Sequence, residues 1–179
     1  HTRFALGAEE LKKSPDGQQT AARARAAGRA AAAATQTVTE ALASDELQKM
    51  LAAYQRGRGA RREIKAATIA IRRALEVHGN VLTKWQRAAG DFKSAVELQR
   101  DYAEAQHNAE VVDRHIAKLV DSLRELQSAQ NGLDQKATEL GAAMKALKGK
   151  MPGPSPGPTP GPGGAVPPLR AWTHRRRAS

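Results

Sequence analysis

Between Leu98 and Leu147, apolar residues recur at alternating steps of four and three: Leu98, Tyr102, Ala105, Ala109, Val112, Ile116, Leu119, Leu123 and Leu126, then, past the polar Gln130, Leu133, Ala137, Leu140, Met144 and Leu147. Such steps average about 3.5 residues, so on a slightly underwound helix the whole series forms one narrow seam. A seam that narrow becomes dry only when another helix lies along it. Its flanks are charged or carry amides, as at Asp113, Arg114, Lys118, Asp121, Arg124, Glu125 and Gln127. The pattern predicts a coiled coil rather than the broader apolar face of a helix in a globular bundle.

A second seam precedes it, through Ile64, Thr68, Ile71, Leu75, His78, Leu82, Trp85, Ala89, Phe92 and Val96. It slips by one residue at Leu98, a discontinuity that changes the winding of a coiled coil without ending it. An unbroken helix from Ile64 to Leu147 would be a rod about 125 Å long. The competing arrangement is a hairpin folded back near Asn131-Gly132, because turns containing glycine join antiparallel helices. On either arrangement the partner-helix interface is nominated by the large seam residues. In the first seam these are Ile64, Ile71, Leu75, Leu82, Trp85, Phe92 and Val96. In the second they are Leu98, Tyr102, Val112, Ile116, Leu119, Leu123, Leu126, Leu133, Leu140, Met144 and Leu147.

Composition supports the same all-α, elongated coiled-coil class. Aromatic residues are 3% of the chain and much of the 40% hydrophobic content is alanine, too little bulk to fill a thick core. There is no cysteine, which excludes disulfides and cysteine-based zinc sites and suits a reducing, cytoplasmic setting. No apolar run approaches the roughly 20 residues of a membrane span. The sequence starts at His1 rather than Met, and residues 1–15 lack the apolar core of a secretory signal, so the start reads as truncated.

The organisation follows from local character. Residues 1–34 read as disordered or as a frayed Ala/Arg-rich helix: Ser14-Pro15-Asp16-Gly17 signals a turn, and the alanine run after Thr20 favours helix but has almost nothing to bury. Residues 35–150 form the coiled-coil region, where real contacts begin with Val38, Leu42, Leu47, Met50, Leu51 and Tyr54. Gly57 and Gly59 predict a hinge at 56–62, since each costs a helix about 1 kcal/mol against alanine. Residues 151–179 read as a disordered Pro/Gly linker and basic tail, because proline cannot continue a helix. Arg176-Arg177-Ala178-Ser179 fits a basophilic kinase site at Ser179.

Net charge is +11, and the two ends hold much of the excess. These basic ends suit peripheral contact with an anionic membrane. Nucleic-acid binding is weakly supported, since the middle has no basic stripe interleaved with aromatics and one Arg-Gly-Arg-Gly is little evidence. Nucleophilic triads, phosphate loops and dinucleotide fingerprints are absent. Glu104, His107 and Glu110, with His115 beyond, are spaced like helical metal ligands, but one solvated face offers too few convergent groups. His78, within the seam, reads as a partly buried histidine bonded to a partner helix. The expectation is a non-enzyme with no cofactor, metal or small-molecule substrate.

From Trp85 there follow Phe92, Ala95-Val96, Asp101-Tyr102, Glu110, Arg114 and Ile116-Ala117. Upstream stand Thr39-Glu40-Ala41-Leu42 and Ala53-Tyr54, with Glu63 and Lys65 in step. Over roughly residues 33–123 this pattern resembles the family of subunit 1 of the biogenesis of lysosome-related organelles complex 1. The stretch with Leu133-Asp134 and Leu140 also looks like subunit 2 of that complex. The resemblance implies a non-catalytic scaffold subunit that assembles with other helical coiled-coil subunits. It would act in this complex, or in the lysosome-positioning assembly that shares subunit 1, in endosome-to-lysosome or vacuole trafficking. The implied location is cytoplasmic, peripheral on endosomes or lysosomes. The alternatives are a homo-oligomeric cytoskeletal or ciliary coiled coil and a basic nucleic-acid-associated protein.

Overall fold

In a computed structural model, which describes residues 2–99 and 101–152, the chain forms four α-helices: α1 (Thr2–Lys12), α2 (Gly17–Ala43), α3 (Leu47–Leu98) and α4 (Ala103–Lys150). The described residues contain no strand. Helix α3 alone is 52 residues, about 78 Å long. The register comes from pairs along its length. Lys93 meets Asp113 near one end and Gly57 meets Met144 near the other, so α3 and α4 are antiparallel. Arg56 donates to the Thr37 hydroxyl of α2, and Gly17 lies against His78, so α2 is antiparallel to α3 as well. Arg3 reaches Asp91 and Glu10 reaches Lys84, which sets α1 on the same track as α2. The result is an elongated three-layer bundle in which α1 and α2 end to end make one layer.

The expected coiled-coil class holds, but the helix that covers each seam belongs to this chain. The rod from Ile64 to Leu147 does not form: the chain reverses between α3 and α4, where the register slips, and not at Asn131-Gly132, which lies inside α4. Tyr102 N–H closes the turn on Gln99 O at 3.1 Å. A reversal this short costs little loop entropy and lets the two seams bury each other without waiting for a second molecule.

Two further expectations are corrected. No hinge interrupts residues 56–62, because α3 runs straight through them. Gly57 is buried, and a Cβ there would stand 2.8 Å from Met144 Sδ. The glycine serves close approach between helices. Residues 1–34, expected as disordered or frayed, form α1 and most of α2. In α2, Ala21, Ala24, Ala27, Ala31, Ala34, Val38 and Ala41 are buried at steps of three and four. Each alanine buries little area, but small side chains let α2 lie close enough to seal Ile71, Leu126, Leu133 and Leu140. Those four large side chains, with Leu147, are fully buried. The tail from residue 153 onward, including Ser179, lies outside the described residues.

Candidate functional site

The seam residues sort into three groups. Ile64, Ile71, Trp85, Val112, Leu119, Leu126, Leu133, Leu140, Met144 and Leu147 are buried inside the bundle. Leu75, Leu82, Phe92, Val96, Ile116 and Leu123 are half-buried at its edges. Leu98 and Tyr102 are open to solvent, 90% and 42% exposed. The difference follows the layers. Around the middle, α2 caps the groove between α3 and α4; farther along, Phe4, Ala8 and Leu11 of α1 pack on Val81, Trp85, Val112 and Leu119. Helix α1 reaches only as far as the Arg3–Asp91 ion pair. Beyond it, among the described residues, α3 and α4 continue to their turn as a two-helix tip.

Where α1 passes to α2, the layers leave a cavity of about 400 Å³, lined by Leu11, Ser14, Pro15, Asp16, Gly17, His78, Trp85, His115, Lys118, Leu119 and Ser122. Asp16 ends the turn and caps α2, its carboxylate accepting from Gln18 N–H at 2.7 Å and Gln19 N–H at 3.3 Å. The sequence carried this signal: Asp16 followed three residues later by Gln19 is capping-box spacing. Beside the cavity, Phe4, Trp85 and His115 pack at tilted to edge-on angles, with ring centroids 5.2 Å (Phe4–Trp85), 5.6 Å (Trp85–His115) and 5.4 Å (Phe4–His115) apart, and the Trp85 indole N–H donates to Phe4 O at 3.2 Å. The contribution of Phe4 was not legible, since nothing local marks residues 2–12 as packed.

His78 is 4% exposed, and it bonds its own helix rather than a neighbouring one. Its Nδ1 lies 2.8 Å from Ala74 O. A carbonyl can only accept, so Nδ1 carries the proton and Nε2 keeps its lone pair. Burial pushes the His78 pKa below 6.5, while the Ala74 carbonyl and the Asp16 charge pull partly the other way. A Cβ on Gly17 would crowd Ser122 Oγ and stand 2.9 Å from His78 Nε2, so a larger residue there forces these side chains to shift. Ser122, His78 and Asp16 share the cavity, but no hydrogen bond joins them into a relay among the described residues, and the Asp16 carboxylate is engaged by the α2 amides.

Glu104, His107 and Glu110 are exposed on α4, and His115 turns to Phe4 and Trp85 instead of joining them. Among the described residues no group of three His, Cys, Asp or Glu side chains is placed to hold a metal ion. None of the described helices is long and apolar enough to cross a membrane. The fold defines a class, the elongated antiparallel three-helix bundle. No family model, curated protein or solved structure matches the chain.

Proposed function

We propose that the chain is a non-catalytic helical scaffold subunit of a multi-subunit assembly in endosome-to-lysosome or vacuole trafficking, cytoplasmic and peripheral on those organelles. It joins its partner through the two-helix tip. One coincidence carries the reading. The tip, where Leu98 and Tyr102 are uncovered, lies within the Trp85 to Ile116 stretch that resembles the complex subunit. Along the rest of the bundle α1 or α2 supplies a third helix, so a helix from another subunit completes the pattern at the tip.

The test is co-expression with candidate helical subunits and size-exclusion chromatography with light scattering. The parent chain is expected to form a stoichiometric hetero-complex. Leu98→Glu with Tyr102→Glu is expected to abolish it while helicity by circular dichroism stays unchanged, because both positions are exposed in the chain alone. A complex that survives the double change rules out the tip. A stable homo-oligomer broken by the same change favours an independent structural coiled coil of cytoskeletal or ciliary type.

A further inference from the structure

Helix α3 turns a second pattern outward, on the side away from its seam. Leu47, Leu51, Arg58, Arg62, Lys65, Ile69 and Arg73 are spaced by near-multiples of a helical turn, and all are exposed, so they form one solvent-facing stripe about 39 Å long. Arg72 flanks it. Glu63, the one acid of α3 in this span, is turned about a third of a revolution away and lines the α2–α3 groove with Arg23. Arg58, Arg62, Lys65 and Arg73 form no ion pair among the described residues, whereas Lys93 of the same helix pairs with Asp113. Leu47, Leu51 and Ile69, at 46%, 46% and 59% exposure, stand on the stripe itself.

These two observations together select the ligand. Unpaired cations alone suit any polyanion. A nucleic-acid duplex has no use for exposed aliphatic side chains among its phosphate contacts, and the stripe lacks the aromatic platforms on which proteins chiefly stack unpaired bases. An anionic bilayer offers a plane of phosphates to the arginines and a shallow apolar boundary to the leucines and isoleucine. We infer that the outward stripe of α3 from Leu47 to Arg73 docks on an anionic lipid membrane, with α3 lying parallel to the bilayer plane. The main apolar face of α3 is committed to the bundle core, so only three aliphatic side chains enter the headgroup region. Attachment is therefore peripheral, reversible and salt-sensitive. Ile69 and Leu98 are about 44 Å apart along the helix, so the surface stands independently of assembly at the tip.

Flotation of the full chain with vesicles of phosphatidylcholine, with and without about 30% phosphatidylserine at about 0.15 M salt, tests the inference. The chain is expected to float with the phosphatidylserine vesicles only, and to bind them at least tenfold more weakly as Arg58→Gln/Arg62→Gln/Arg73→Gln. Ile69→Ser is expected to weaken binding several-fold and steepen its loss with salt, while Arg114→Gln/Arg124→Gln on α4 leaves it unchanged. Circular dichroism confirms that each variant keeps its helicity. The inference is overturned if the triple variant binds like the parent, which would assign attachment to another part of the chain. It is equally overturned if the parent ignores both vesicles, including the case in which it binds a DNA duplex instead.

Discussion

The glycines of this chain differ by what surrounds them. A Cβ on Gly7 would stand 2.6 Å from the Trp85 indole nitrogen and 2.9 Å from its Cδ1, and the ring is held by its bond to Phe4 O. Gly7→Ala is therefore expected to lower stability by about 1–2 kcal/mol, the overpacking outweighing the gain in helix propensity. Gly59 has nothing within 4 Å of its would-be Cβ, so Gly59→Ala is expected to raise stability by up to about 1 kcal/mol. Thermal melts of the two variants beside the parent check the opposite signs. His78 adds a pH dependence. Its folded-state pKa lies below 6.5, so the unfolded chain takes up the proton first as pH falls. The contribution of His78 is full above about pH 6.5 and is lost as pH drops from there through the folded-state value. Melts from pH 7.5 to 5 should show this loss in the parent, and His78→Gln should flatten that part of the profile. Gly7 does not reveal its role in the sequence, because that role depends on Trp85 far along the chain; the burial of His78 was legible from its seam position, but its bond to Ala74 O of its own helix was not.

Helix ends decide how the elements are joined. Asp16 caps α2, and Asp16→Ala is expected to cost about 1 kcal/mol. At the opposite end of the same helix, Lys150 from α4 donates to Leu42 O at 2.8 Å and Ser44 O at 3.0 Å, and stands 3.1 Å from the Asp45 carboxylate. A cation placed on carbonyls left over at a helix C-terminus stabilises them electrostatically and by hydrogen bonding. Lys150→Met is expected to destabilise by about 1 kcal/mol, and amide exchange should show earlier opening around Ala41 to Leu47. Urea unfolding of both variants measures the two losses. The turn reading of Ser14-Pro15-Asp16-Gly17 stopped short of the Asp16 cap, whose signal is nonetheless local, Gln19 three residues on. The Lys150 clamp has no local signal, since it pairs residues more than a hundred positions apart.

Across the whole molecule, burial separates folding from assembly. Ile116→Glu with Leu119→Glu is a natural way to charge the seam, but Leu119 is 3% exposed within this chain alone. Placing charge there is expected to cost about 4 kcal/mol or more, and to abolish the cooperative melt even in the absence of any partner. Leu98→Glu with Tyr102→Glu is expected to leave that melt intact, so the two pairs distinguish a core from a docking surface. The sequence by itself determined that residues 35–150 are helical, which side of α3 and α4 is dry, and where the proline-rich segment ends the pattern, because these follow from period, propensity and local sterics. Only the tertiary structure decided that the two seams cover each other across the reversal between α3 and α4, that an alanine-rich helix completes the core, and that Gly57 is a packing position. A heptad states that a partner helix is needed but not whose it is. The answer turned on non-local packing, in which small alanines let large side chains close together and a short reversal made the nearest partner the chain itself.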